Sequence, residues 1–120
     1  MIKDATASTR RHMRFNAQSA NITGSICYRN DAVLHNFSLG GACFLLKEPI
    51  GINSSCSVEI RDGAKEIHVT GRVAWGRGPG EMPELPEGLK DMHAVGIVFL
   101  NTYNSPSGAG LLELIEKLDS

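Results

Sequence analysis

Two short groups of side chains in the first third of the chain have the types and spacing needed to bind an anion. The first group is Arg10, Arg11 and Arg14, in which the first and last arginines are separated by three residues. The second group is the string NFSLGG at residues 36–41. A guanidinium group presents five N–H donors in a planar fork, which matches the oxygens of a phosphate in pairs. The two groups together favour a ligand that carries phosphate.

The 36–41 string is predicted to form a shelf for such a ligand. Glycine lets a ligand approach the backbone closely, so Gly40 and Gly41 would form the base of the shelf. Asn36 and Ser38 are predicted to face outward on it. On a strand of period two, the inward positions then fall to Val33, His35, Phe37 and Leu39. Arginine also fits the O6 and N7 acceptors of guanine, which favours a guanine nucleotide over a bare carboxylate.

The rest of the chain predicts a mainly β domain with one helix. About six short strands, in which apolar and polar residues alternate between turn signals, fit within residues 21–101. Asp62-Gly63 is the clearest hairpin turn. Residues 76–90 are rich in glycine and proline, which predicts a surface loop. The apolar spacing at 111–118 predicts an amphipathic helix over 106–118, so we expect a six-stranded antiparallel β-barrel with a C-terminal α-helix.

Composition and charge restrict the class of protein. The 120 residues are 42% hydrophobic and carry a formal net charge of -1, as expected for one globular domain. Five of the 12 basic residues lie in the first 30 positions, where a flexible tail (1–9) and a basic arm (10–20) are predicted. Neither a signal peptide nor a membrane span is predicted. The three cysteines are predicted to be reduced thiols, which favours a cytoplasmic protein.

Motifs for catalysis or metal binding do not occur in the sequence. There is no CxxC or HExxH pattern, and the four histidines are scattered. We therefore predict no enzyme activity, no metal site and no cofactor. Trp75, near the end of a strand, is a candidate for stacking on a base, although its parity with Val73 predicts a position in the core or at its rim. Arg72 and Arg77 are weaker candidates for additional phosphate contacts, and each is predicted first as a solvated surface charge.

The arginine arm, followed about twenty residues later by the 36–41 string, resembles the paired signature of the PilZ domain family. Members of that family are bacterial receptors for cyclic di-guanosine monophosphate (cyclic di-GMP). Residues 71–75 (GRVAW) and 96–99 (GIVF) are similar to later strands of the family, so the resemblance extends over about residues 10–118. It implies a PilZ-like split barrel. It also implies that cyclic di-GMP is bound by Arg10, Arg11, Arg14, Asn36, Ser38, Gly40 and Gly41.

The resemblance implies a receptor that orders its basic arm on the ligand and then signals to an unidentified protein partner or, as a homodimer, to a second copy of itself. Two alternatives stay open. One is an adaptor of the PilZ type that binds only proteins, and the other is a small nucleic-acid-binding β-barrel. The acidic remainder of the chain and its 6% aromatic content argue against DNA or RNA as the partner.

Overall fold

The computed structural model of the chain describes residues 14–27, 29, 31–100 and 106–119. The predicted tail at 1–9, together with Arg10 and Arg11 of the arm, lies outside the described residues. The described chain forms seven β-strands, a 3₁₀ turn at Glu87–Leu89 and one α-helix. The elements are β1 (Phe15–Asn16), β2 (Thr23–Ile26), β3 (Val33–Phe37), β4 (Gly41–Leu46), β5 (Ser55–Asp62), β6 (Lys65–Arg77), β7 (His93–Leu100) and α1 (Pro106–Asp119).

The seven strands form one antiparallel sheet in the order β1-β3-β4-β7-β6-β5-β2. The sheet is curled, and its two ends approach each other. A Cβ atom placed on Gly24 of β2 would lie only 3.3 Å from the Leu34 side chain of β3. No hydrogen-bond ladder joins β2 to β3 among the described strands, so the sheet is a curled half-barrel. The predicted mainly β fold with a C-terminal helix is confirmed. The additional strand is Phe15–Asn16, which was expected in the arm but pairs with β3.

One apolar core lies inside the curled sheet. In β5 and β6 nearly every second residue is buried, as the alternating sequence predicts. Phe37 and Phe44 are the largest of the fully buried side chains, and burial of such a side chain contributes about 1.5–3 kcal/mol. Helix α1 adds Leu111, Leu114 and Ile115 to the same core, which confirms the predicted helical stripe except at Leu112, which is exposed.

Helix α1 is held beside the tip of the β5–β6 hairpin. Gly63 follows β5 with a φ of +61°, which glycine adopts without strain and which a tight hairpin turn requires. Lys117 Nζ lies 2.9 Å from Asp62 Oδ2, and Lys65 Nζ lies 3.3 Å from Glu113 Oε1. Exposed ion pairs contribute at most about 1 kcal/mol each, so the apolar stripe rather than these pairs holds the helix. No helix in the described part of the chain is long and apolar enough to cross a bilayer.

A β-bulge in β3 changes which residues face the core. Pairing with β4 shifts between Leu34 and Asn36, so one extra residue interrupts the alternation. Leu34 and Phe37 are buried in the core, whereas Val33 packs against a second cluster on the outer surface. The prediction that Val33 faces the core is therefore wrong, and His35, which lies at the irregularity, is only partly buried. Asn36 follows the bulge and shares the outer face, as predicted.

Candidate ligand-binding site

The outer face of the sheet carries a row of residues that begins at the 36–41 string. Asn36 of β3 lies opposite Cys43 of β4, and Cys43 lies opposite Gly96 of β7. Gly96 in turn lies opposite Trp75 of β6. Side chains of paired antiparallel residues share one face of the sheet, so these four residues form an outer row. Neighbouring strands lie about 4.8 Å apart, so the row is roughly 14 Å long, which is enough for a dinucleotide.

Arg14 lies beside the first residue of the outer row. Its Nη1 donates a hydrogen bond to Oδ1 of Asn36 at 2.9 Å. Strand β1 fixes this position, because Phe15 and Asn16 pair with Phe37 and Asn36. The rings of Phe15 and Phe37 also pack with their centroids 6.0 Å apart. The last arginine of the arm and the first residue of the 36–41 string are thus brought together, and the exposed guanidinium keeps further donors for a ligand.

Ser38 holds the turn between β3 and β4 together. Its hydroxyl accepts a hydrogen bond from the N–H of Gly40 at 3.2 Å, and its own N–H donates to the carbonyl of Gly41 at 2.8 Å. The residue is only 3% exposed. The prediction that Ser38 faces outward is wrong, because β3 ends at Phe37 and the alternation does not continue into the turn. Ser38 therefore shapes the turn that carries the two glycines.

Trp75 lies at the far end of the outer row. Pairing between β6 and β7 shifts after Val73, and the extra residue places Trp75 on the opposite face of the sheet from Val73. The parity that grouped Trp75 with Val73, in the core or at its rim, is therefore wrong about the face. The indole instead lies over Gly96, and the guanidinium carbon of Arg77 is 5.4 Å from the centroid of the ring. An aromatic ring beside a guanidinium is a stacking surface that suits a purine.

Gly96 determines where the indole lies, because a Cβ atom there would overlap the ring of Trp75. We expect Gly96→Ala to displace the ring, to shift its fluorescence emission and to cost about 1–3 kcal/mol of stability through overpacking. Trp75 is the single tryptophan of the chain, so the emission reports on this ring alone. Gly88→Ala is the matched control, since a Cβ atom there would meet no atom within 4 Å. An emission spectrum unchanged by Gly96→Ala would contradict this role.

Residues 78–92, which we call the flap, fold back over the outer face beside Trp75. The N–H of Gly80 donates to the carbonyl of Lys90 at 2.9 Å and closes the base of the flap. Leu85, at 4% exposure, is buried in a second apolar cluster on this face. The buried members of the cluster are Cys43, Leu45, Leu85 and Ala94, and Trp75 packs against them. The predicted loop at 76–90 is therefore a packed cover, and β6 extends to Arg77.

Cys43, in the middle of the outer row, makes the floor of this region apolar and uncharged. Burial raises the pKa of its thiol to about 11, while the charge of Arg14 lowers that pKa and the charge of Glu84 raises it by smaller amounts. The thiol is therefore neutral near pH 7 and a poor nucleophile. A cation, Arg14, and an anion, Glu84, thus both lie near the Cys43 thiol. Opposite charges around an uncharged thiol suit the binding of a polar ligand better than covalent chemistry.

A separate group of charged side chains lies on the outer face of β5 and β6. Ligand atoms of Glu59, Glu66 and His68 lie within 4.8 Å of one another. The His68 ring nitrogens are 3.6 Å and 3.3 Å from oxygens of Glu59 and Glu66. The guanidinium of Arg61 contacts the remaining, solvent-shielded oxygen of Glu59, although not in hydrogen-bond geometry. Arg61 and the two glutamates thus form an ion-pair network beside the His68 ring.

Sequence reasoning missed the flap and two members of the outer row, Cys43 and Gly96. Arg77 is exposed, as predicted, but its guanidinium also lies over the indole of Trp75, a contact that the sequence did not indicate. One signal could have revealed the flap: its apolar residues are spaced three or four apart within a segment rich in glycine and proline. They are Met82, Leu85, Leu89 and Met92. No comparable local signal marks Cys43 or Gly96, since both depend on which strands are neighbours.

Solved structures with the same fold include three chains from two bacteria. The PilZ domain of YcgR from Escherichia coli with cyclic di-GMP has a TM-score of 0.67 at 20% identity, covering 92% of this chain and 91% of that one. YcgR in complex with cyclic di-GMP has a TM-score of 0.65 at 19% identity, covering 92% of this chain and 46% of that one. The Bacillus subtilis inhibitor of motility, MotI (DgrA), has a TM-score of 0.63 at 15% identity, covering 91% of this chain and 51% of that one.

These identities are low, so the solved structures establish the fold alone. The chain spans about half the length of MotI and of the longer YcgR structure. No curated protein matches the sequence significantly. The model of the PilZ domain, in contrast, matches residues 8–116, which is nearly the whole sequence. The chain therefore belongs to the PilZ domain family.

Proposed function

We propose that this PilZ domain is a cytoplasmic receptor for cyclic di-GMP and not an enzyme. The observation that carries the proposal is the hydrogen bond of 2.9 Å between Arg14 and Asn36. It joins the arginine arm to the 36–41 string, at the start of an outer row that ends on an aromatic ring. Membership of the family and the likeness to the ligand-bound PilZ domain of YcgR support the same function.

The chemistry of the ligand fits the groups around the outer row. Cyclic di-GMP carries two negative phosphates and two guanine bases. In the proposal Arg14, with Arg10 and Arg11, binds phosphates and base acceptors through charge-assisted hydrogen bonds. The amide of Asn36 offers a donor and an acceptor without adding negative charge. At the other end of the row the exposed guanidinium of Arg77 moves off the indole of Trp75 in this proposal, and a guanine face takes its place on the ring.

The residues of the turn have two different parts in this proposal. Gly40 leaves open space, because a Cβ atom there would meet nothing within 4 Å, so a ligand can approach the backbone at this point. Ser38 is buried and bonded within the turn, so we assign to it the positioning of Gly40 and Gly41 rather than a direct contact.

Signalling in this proposal follows from ordering of the arm. Fixing a residue of a flexible segment costs about 1–2 kcal/mol, and hydrogen bonds to charged groups return about 1.5–3 kcal/mol each. Two or three arginine contacts to the ligand can therefore order a short arm. The ordered arm and the bound nucleotide then form a surface that the free protein lacks. A protein partner, or a second copy of the chain, would recognise that surface.

Isothermal titration of the purified chain with cyclic di-GMP tests the receptor function. We expect saturable binding, with a stoichiometry that distinguishes one nucleotide from a stacked pair. GMP is the control, because it carries one base and cannot span the outer row. Absence of binding at micromolar to millimolar ligand would overturn the proposal and favour an adaptor that binds only proteins. Retention of single-stranded RNA on a filter at low salt would instead favour a nucleic-acid-binding barrel.

A further inference from the structure

Among the carboxylates at the centre of the flap, Glu84 is the one without a bonded partner. Oε2 of Glu81 accepts a hydrogen bond of 2.7 Å from the N–H of Gly78. Oε1 of Glu87 pairs with Nζ of Lys90 at 2.9 Å. Glu84 is exposed and makes no hydrogen bond or ion pair with any residue in the described ranges. Its two oxygens are therefore available to a ligand.

The flap brings Glu84 close to the outer row. The next residue, Leu85, is buried in the second apolar cluster, which contains Cys43 and against which Trp75 packs. This anchor leaves Glu84 at the edge of the same cluster. Its charge acts on the thiol of Cys43, as does the charge of Arg14. Glu84 is thus an acidic group beside a floor that otherwise offers a guanidinium, an amide and an indole.

A carboxylate in this position is unfavourable for a ligand with two negative charges unless it accepts hydrogen bonds from that ligand. Guanine offers two adjacent donors, N1–H and the 2-amino group, and the two oxygens of a carboxylate can accept both. Adenine offers an acceptor at N1 and has no 2-amino group, so one carboxylate oxygen would face a lone pair. A free carboxylate therefore selects guanine both by attraction and by repulsion of the alternative.

We propose that Glu84 accepts hydrogen bonds from N1–H and the 2-amino group of the guanine that stacks on Trp75, and so determines the preference for guanine over adenine. This inference rests on the proposed receptor function and concerns the specificity of the same site. In this inference the flap recognises the hydrogen-bonding edge of a base, and the arginine arm at the other end of the outer row binds the phosphates.

The test compares the affinities of two ligands, cyclic di-GMP and cyclic di-AMP, for three proteins: the wild type, Glu84→Gln and Glu87→Gln. We expect Glu84→Gln to reduce the ratio of the two affinities by at least about tenfold, mainly through weaker binding of cyclic di-GMP. The amide keeps one acceptor but presents N–H groups where the second oxygen stood. Glu87→Gln removes the same charge from the same flap at a residue paired with Lys90, so its ratio should equal that of the wild type.

Each other outcome overturns the inference in a distinguishable way. If Glu84→Gln binds both nucleotides more tightly by the same factor, Glu84 acts only through charge repulsion. If it binds both more weakly by the same factor, Glu84 supports the arm and does not read the base. In both cases the receptor function stands and the assignment of specificity to Glu84 fails. If the wild type does not bind cyclic di-GMP at all, the proposed function fails and the inference fails with it.

Discussion

Replacing both Arg10 and Arg14 by alanine is expected to weaken cyclic di-GMP binding by about 100-fold while the melting temperature stays within about 2 °C of the wild type. Each charge-assisted hydrogen bond contributes about 1.5–3 kcal/mol, so loss of two such contacts removes at least 3 kcal/mol, which corresponds to about two powers of ten in affinity. Stability changes little because Arg14 is exposed and its bond to Asn36 lies at the surface. Titration calorimetry and thermal melts measure the two quantities.

Arg29→Ala is the matched control for the loss of positive charge. Nη1 of Arg29 donates to the backbone carbonyl of Glu48 at 3.0 Å, away from the outer row residues. Its substitution removes one charge near the front of the chain and should change affinity by no more than about twofold, because screened charges at a distance contribute little. Affinity at the wild-type level in the Arg10 and Arg14 double variant would contradict the binding site. An equal loss in Arg29→Ala would show that net charge, rather than these contacts, binds the ligand.

The parts of the fold that follow a regular period could be predicted from the sequence. Buried and exposed residues alternate from Cys56 to Ile60 in β5 and from Ile67 to Val73 in β6, and the turn that joins the strands falls at residues 63–64, one residue after the predicted Asp62-Gly63. Helix α1 buries Leu111 and Ile115 because residues spaced by three and four share one face. In these segments the hydrophobic pattern of the sequence agrees with the face that is buried in the fold, so the pattern alone predicts the secondary structure and its buried face.

The errors in assigning faces arise at the two irregular pairings. A bulge inserts a single residue into a strand. Beyond that residue, side chains point to the face opposite to the one that strict alternation predicts. Val33, before the irregularity in β3, was assigned to the wrong face, whereas Asn36, after it, was assigned correctly. Trp75 lies after the irregularity in β6 and was assigned to the face of Val73, in the core or at its rim, for the same reason. Neither strand contains a sequence feature that predicts the extra residue, because the position of a bulge depends on how the strand pairs with its neighbour.

The outer row itself depends on contacts between distant segments. Cys43 and Gly96 are neighbours only because β4 pairs with β7, and Trp75 joins them only because β7 also pairs with β6. Local pattern cannot give this order, since many strand orders satisfy the same alternation. The sequence could predict which residue types bind an anion and the resemblance could predict their family. The residues that lie between Arg14 and Trp75 on the outer face could be identified only from the strand order of the folded sheet.

Gly41→Ala is expected to lower the stability of the domain by about 1–3 kcal/mol, and its melting temperature by roughly 5–10 °C. A Cβ atom at Gly41 would overlap the backbone carbonyl of Ile97 on the neighbouring strand. A carbonyl in a sheet ladder cannot move away as a flexible side chain can, so β4 and β7 must separate locally. Because this pairing also aligns Cys43 with Gly96, the damage should extend into the outer row.

The adjacent glycine provides the control that separates folding from binding. A Cβ atom at Gly40 would meet no atom within 4 Å, so Gly40→Ala should have the same melting temperature as the wild type. Gly40→Val adds bulk to the same open space, and in the proposed site it should weaken cyclic di-GMP binding at unchanged stability. If Gly41→Ala melted like Gly40→Ala, the close approach of β4 to Ile97 would be wrong. If Gly40→Val bound the nucleotide like the wild type, the ligand would not lie over the turn, because a branched side chain there leaves no room for it.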